Sequence, residues 1–201
     1  MTIFAFKCLS NDNQLEYFRS TRIYMRISTW NINSVRLRLQ QVLDFVKDKN
    51  IDLLCLQETK TPDENFPSKD FAEIGLKYQH FRGEKSYNGV AILSNLKFED
   101  KNFINWCGKN DTRHVSVKLN KNTELHNFYI PAGGDEPDIH KNPKFEHKIS
   151  FLNEMKKHFL KDKNTNKILV GDLNVAPLEH DVWSHKQLLN VVSHTPIETE
   201  I

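Results

Sequence analysis

"KILVGDLNVAP", residues 167–177, runs from three apolar residues, Ile168, Leu169 and Val170, straight into Gly171, Asp172, Leu173 and Asn174. A short apolar run that stops at glycine has the pattern of a buried strand. A carboxylate and a carboxamide two residues apart at its mouth are, taken alone, ordinary turn formers. In α/β sheets, however, ligands gather where strand ends open into loops. The choice between turn and site depends on how the other strands end.

Working outward from this run, five further segments have strand character: "RISTWNI" (26–32), "DLLCLQ" (52–57), "GVAILS" (89–94), "HVSVKL" (114–119) and "LHNFYI" (125–130). The strand from His114 alternates, with Val115, Val117 and Leu119 on one side, as a half-buried antiparallel strand does. "NKN" at 120–122 supplies a hairpin turn into the next strand. Leu39, Val42, Leu43 and Val46 share a helical face after the first strand, and Ile149, Leu152, Met155 and Phe159 share one before the last. Mixed strands with helices between them and no internal repeat predict a layered α/β fold, one domain over 25–201. Residues 1–24 show no period and are expected to be a poorly ordered extension.

Polar residues stand at four of the strand ends: Asn31 and Asn33, Glu58, Tyr129, and Asp172 with Asn174. At a period of two, each pair points to one side. Each residue has a plainer alternative: the asparagines could cap a helix near Ser34, Glu58 could face solvent, and Tyr129 could be a core aromatic with a satisfied hydroxyl. Jointly, four such ends in one domain predict a single pocket.

The 28 Lys and Arg against 26 Asp and Glu leave a formal charge of +2, which neither requires nor excludes a polyanionic partner. A local excess lies at 141–167, where eight lysines face Glu146, Glu154 and Asp162; alone it describes a solvated helix face. Three cysteines, Cys8, Cys55 and Cys107, form no CxxC pair and fit a reducing compartment, with Cys55 a small core residue. The nine histidines contain no HExxH and are expected mostly at the surface, without a zinc site. The N-terminal apolar run is too short for a signal peptide or a membrane span, so a cytoplasmic protein with no membrane contact is expected.

Taken together, "WNINSVR" (30–36), "IDLLCLQETK" (51–60), "YNGVAILS" (87–94), "FYIPAGG" (128–134) and "ILVGDLNVAP" (168–177) resemble the exonuclease III family of apurinic/apyrimidinic endonucleases, within the endonuclease, exonuclease and phosphatase superfamily. "DVWSHKQL" (181–188) is similar to the DNA-repair branch. The resemblance implies a four-layered α/β sandwich that cleaves double-stranded DNA at abasic sites or 3′ ends, using Mg²⁺ with Mn²⁺ as a substitute. It implies Asn31, Glu58, Asp172 and Asn174 at the metal, and Tyr129, Asp172 and Asn174 as catalytic groups. Asn33, Arg36 and Arg113 would bind substrate. The chemistry is consistent: phosphodiester cleavage builds negative charge that a hard cation on one or two carboxylates neutralises, and amides orient a phosphate without adding repulsion.

The family ends its site with a mid-half Asp and a terminal Ser-Asp-His, and this chain has no Asp-His dipeptide. "HTPIETEI" instead begins a helix, with Thr195 as N-cap, Pro196 at the first position and Glu198 completing a capping box, and then stops. The expectation is therefore a C-terminally truncated domain, weak or inactive, whose missing half a separate polypeptide could supply. Two other readings are a non-catalytic DNA-binding remnant or pseudogene product, and a phosphatase of the same superfamily acting on a small phosphorylated substrate.

Overall fold

The computed structural model describes residues 2–7, 24–161 and 165–201. Its strands are β1 (Thr2–Lys7), β2 (Tyr24–Asn31), β3 (Leu53–Gln57), β4 (Tyr78–Glu84), β5 (Tyr87–Ser94), β6 (Asp100–Asn102), β7 (His114–Asn120), β8 (Thr123–Tyr129) and β9 (Asn166–Asp172). The helices are α1 (Val35–Lys49), α2 (Ser68–Glu73), α3 (Pro143–Lys161), α4 (His185–Leu188) and α5 (Pro196–Thr199). One sheet has the order β1-β2-β3-β5-β4 and the other β6-β7-β8-β9. Of the extension expected over 1–24, Thr2–Lys7 pairs antiparallel with β2, which itself begins at Tyr24; residues 1 and 8–23, with Cys8, lie outside the described residues.

The two sheets face each other across a core of Ile27, Leu53, Cys55, Val90 and Ile92 from the first and Val115, Val117, Leu125 and Val170 from the second. On the far side of the first sheet, Val42, Leu43 and Val46 of α1 and Phe71 of α2 pack on Leu54, Leu56 and Leu93. Behind the second, Phe151, Leu152, Met155 and Phe159 of α3 pack with Trp106 and Phe128. Helix, sheet, sheet, helix is the four-layered α/β arrangement. Burial removes the Cys55 side chain from solvent and pushes its thiol pKa far up, so it is an inert core residue. Among the described residues no helix is long and apolar enough to cross a membrane.

Two expectations need correction. The strand 167–171 is not covered on both faces: β9 is the edge of its sheet, and Leu169 is 42% exposed. Conversely β7 is not half-buried, because Trp106 packs edge-on against His114 on its second face, and His114 to Val117 are all buried. That second face also explains why His114 and His126 are interior rather than at the surface; His194, buried too, lies in the turn before α5 with its ring against His185 and Ala176 O.

The first two histidines form a chain of neutral rings. The Ile104 N–H donates to His114 Nδ1 (3.0 Å), so His114 must carry its proton on Nε2, 3.1 Å from His126 Nδ1. His126 Nε2 then faces the Glu124 carboxylate at 3.4 Å. A second proton on either ring would set N–H against N–H. Burial holds His114 well below the usual histidine range. Burial likewise lowers His126 to about 4, although the Glu124 charge pulls the other way; His158 and Lys167 add to the lowering. Because the unfolded chain binds the proton near pH 6.5 and the folded one only near 4, stability present above 6.5 is lost as pH falls through that window. The loss expected from His126 is about 3 kcal/mol. Urea unfolding between pH 7 and 4 should show this decline, and His126→Leu should flatten its upper part. A variant curve as steep as that of the parent between pH 6.5 and 5 would contradict it.

The lysine-rich stretch is not uniformly a solvated face either. Lys141, Lys144, Lys156, Lys157 and Lys161 are exposed, but Lys148 is fully buried and pairs with Glu198 at 2.5 Å; Lys163 lies outside the described residues. Helix α5 has the expected capping box, with Thr195 and Glu198 reciprocally bonded. It is a single turn, yet its Glu198 is buried rather than frayed.

Candidate active site

Asn31 is the last residue of β2 and lies beside Gln57, the last of the parallel strand β3. Past those ends, Ile32 N–H bonds Gln57 O, and the N–H groups of Ser34 and Val35 bond Glu58 O and Thr59 O at 2.7 and 3.0 Å. Helix α1 thus begins on the backbone of the Glu58 loop, and no side chain caps it at Ser34. The asparagines are left for other work. Glu58 itself has φ +54°, and Asn33 has +45°. Non-glycine residues in this left-handed region cost about 1 kcal/mol or more each and cluster where structure serves function.

On the other sheet, Tyr129 pairs with Asp172 at the parallel ends of β8 and β9. The period-of-two account of Asp172 and Asn174 does not hold, because the strand stops at Asp172. There Asp172 Oδ1 accepts the Asn174 N–H (3.3 Å), Asn174 turns to φ +50°, and its Nδ2 donates to Ile130 O at 2.8 Å. A local turn, closed by side-chain bonding, brings the two residues together.

The two sheets meet at Asn31. Its Nδ2 donates to Glu58 Oε1 at 2.7 Å and to Asp172 Oδ2 at 2.8 Å. The Tyr129 hydroxyl also donates to Glu58, and Lys60 Nζ lies 2.7 Å from Glu58 Oε2 and 2.6 Å from Asn33 Oδ1. Burial alone would raise the Glu58 carboxyl, but hydrogen bonds from Asn31, Lys60 and Tyr129 and the Lys60 charge outweigh it and keep Glu58 ionised. Burial first, then the Glu58 charge, pushes Tyr129 upward, so it is a neutral donor. Arg113 lies over the Tyr129 ring at 4.9 Å, held by Asp111 Oδ2 at 2.8 Å and donating to Tyr129 O. Arg36 stands apart from this cluster, exposed on the first turn of α1.

Lys60 escaped sequence reasoning, although its place two residues after Glu58 was a signal. So did the layer beneath. Gln57 Nε2 donates to Asn127 Oδ1 (2.6 Å), and Asn127 Nδ2 donates to Leu56 O and Ala91 O, both at 2.9 Å. An asparagine on the inward face of "LHNFY" was the available sign. This buried amide link joins the sheets directly under Glu58 and Tyr129, which fixes their separation.

Among the described residues no three His, Cys, Asp or Glu side chains are grouped to hold a metal. The donors at hand are two carboxylates, Glu58 and Asp172, with the Asn31 amide between them. Such hard oxygens suit Mg²⁺, which takes one or two carboxylates and keeps several waters, better than a metal requiring imidazole or thiolate.

Residues 28–192 match the Endonuclease/Exonuclease/phosphatase family. The protein belongs to that family. Over 79% of its length this family member is 28% identical to the exodeoxyribonuclease III of Haemophilus influenzae, of which it spans 60%. It is 25% identical to a DNA-(apurinic or apyrimidinic site) endonuclease of Plasmodium berghei, covering 78% of this chain and 39% of that one. Its fold matches an AP endonuclease from Archaeoglobus fulgidus with TM-score 0.79 and 33% identity, covering 88% of this chain and 67% of the other. A 3′ phosphatase from Neisseria, solved bound to a product DNA hairpin, matches at TM-score 0.74 and 27% identity, over 88% and 68% of the two chains. Within the family, these relatives lie in the exonuclease III and AP endonuclease branch.

Proposed function

We propose that this protein is a Mg²⁺-dependent phosphodiesterase acting on double-stranded DNA at abasic sites or 3′ ends. The observation that carries the reading is the Asn31 bridge between Glu58 and Asp172, which gathers two carboxylates and a neutral phenol from separate sheets at one point; relatives named for DNA cleavage supply the substrate class.

Glu58, and Asn31 through its Oδ1, would hold the ion, with Mn²⁺ able to replace Mg²⁺. When bound, such an ion neutralises the charge that builds on the phosphate oxygens during cleavage. Asp172 exchanges a proton at its Oδ2, taking it from the attacking water or returning it to the leaving oxygen. Tyr129, kept neutral by burial and the Glu58 charge and oriented by Arg113, transfers its hydroxyl donation from Glu58 to a phosphate oxygen. Asn174 presents an amide to the same phosphate without adding charge. Asn33, exposed beside Lys60, and Arg36, exposed on the first turn of α1, take the flanking backbone phosphates. Residues 1–201 contain no Asp-His pair; a polypeptide of these residues alone would lack members of a cooperating set and cleave slowly.

The test is single-turnover cleavage, with protein in excess, of duplex DNA carrying one abasic site. The expected product is a nick on the 5′ side of the site, abolished by EDTA and restored by Mg²⁺. Salt-sensitive binding without metal-dependent cleavage would favour a DNA-binding remnant. Hydrolysis of a small phosphorylated compound in preference to DNA would favour the phosphatase reading.

A further inference from the structure

Lys148 is the one fully buried lysine among the described residues, and its ammonium has four oxygen neighbours: Glu198 Oε1 at 2.5 Å, Asn174 O at 2.5 Å, and Ala132 O and Ser193 Oγ at 3.2 Å. Glu198 is equally enclosed. Its carboxylate accepts the Ser193 N–H on both oxygens (3.0 and 2.9 Å), the Thr195 N–H at 3.1 Å and the Thr195 hydroxyl at 2.6 Å. A buried ion pair persists only where the surrounding hydrogen bonds satisfy both partners. Here that requirement ties three chain segments to one nitrogen: the loop after β8, the exit from β9, and the turn into α5. The Ala176 N–H to Ser193 O bond, 2.8 Å, lies beside the same junction.

We infer that Lys148, held in place by Glu198, is a positioning residue for Asn174 and, through it, for Asp172. Asn174 sits in a left-handed conformation that its own side chain does not enforce alone. Its carbonyl is anchored by the ammonium, its Nδ2 by Ile130 O, and its N–H by Asp172 Oδ1. Remove the ammonium and the carbonyl end is released, so the Asp172 oxygen that Asn174 restrains is freed to turn. The pair thereby links helix α5 to the site, although neither side chain reaches the substrate. This rests on the proposed roles of Asp172 and Asn174.

The variant Lys148→Met/Glu198→Gln removes both charges, fills the space and keeps a capping residue at 198. Hydrogen exchange at the Asn174 and Ala176 amides should become about tenfold faster while that of Leu53–Gln57 is unchanged. In the single-turnover assay the maximal rate should fall about tenfold, with the half-saturating DNA concentration within about twofold of the parent. Exchange at Asn174 and Ala176 as slow as in the parent, or faster everywhere alike, would overturn the inference. If the double variant does not fold, Glu198→Gln alone, which keeps the lysine but loosens its hold, decides by the same exchange readout. A parent protein that cleaves no DNA removes the proposed function, and the exchange measurement still decides on the clamp.

Discussion

Asp172→Asn is expected to slow single-turnover cleavage of abasic DNA by about 10²- to 10⁴-fold, the range a positioned acid–base group contributes. Asparagine matches the size of aspartate, and its oxygen can still accept from Asn31 Nδ2, which reaches Asp172 at 2.8 Å. The fold should survive, since Asp172 closes β9 through backbone pairing with Tyr129 that the substitution does not touch. What disappears is the ability to carry a proton and the negative charge opposite Glu58. DNA affinity measured without metal should stay within about threefold, because flanking phosphates rather than this carboxylate dominate binding. A variant that cleaves within fivefold of the parent would show that Asp172 is not the proton-handling group. Lys60, whose Nζ lies 2.7 Å from Glu58 Oε2, would then be the next candidate.

The neighbouring residue should matter to stability instead. Gly171→Ala is expected to cost about 3–5 kcal/mol, enough to unfold a domain of ordinary stability in part. Gly171 has φ +141°, where a side chain is strained. A Cβ there would stand 2.1 Å from the carbonyl oxygen of Phe128 and 2.7 Å from its nitrogen. Those are backbone atoms of the paired strand and cannot rotate aside, so β8 and β9 would have to separate, which overpacking penalties of about 1–3 kcal/mol already reflect in softer surroundings. Gly75→Ala is the control. That glycine also has a positive φ, +100°, but nothing lies within 4 Å of the added carbon, so only the backbone strain of about 1 kcal/mol remains. Chemical denaturation of both variants separates the two causes. Equal losses would mean that the contact with Phe128 relaxes.

The same short stretch shows where sequence reasoning succeeds and where it stops. Ile168 to Val170 announce a strand because apolar residues, two of the three β-branched, fit a pleated surface over a few positions, and Thr195, Pro196 and Glu198 announce a helix start because a capping box closes within four residues. Strands of less apolar composition escaped: β4, "YQHFRGE", carries four polar or charged residues along an edge, and β6 is only Asp100–Asn102. The polar strand ends were visible, and their gathering was expected. The links themselves were not: no local pattern says that Asn31 will place one hydrogen on Glu58 and another on Asp172, 141 residues away.

By itself, then, the sequence determined six of the nine strands among the described residues, the main helices, the layered α/β class and the residue types that stand at the strand ends, because these follow from periodicity and turn chemistry acting over a few neighbouring residues. Only the tertiary structure decided that Trp106 and α3 bury the histidines of β7 and β8, that Glu58 and Asn174 adopt left-handed backbones, and that Lys148 meets Glu198 beneath Asn174. Those outcomes depend on which surfaces pack together and on the need of every buried polar group for a partner, and such partners come from wherever in the chain the packing brings them.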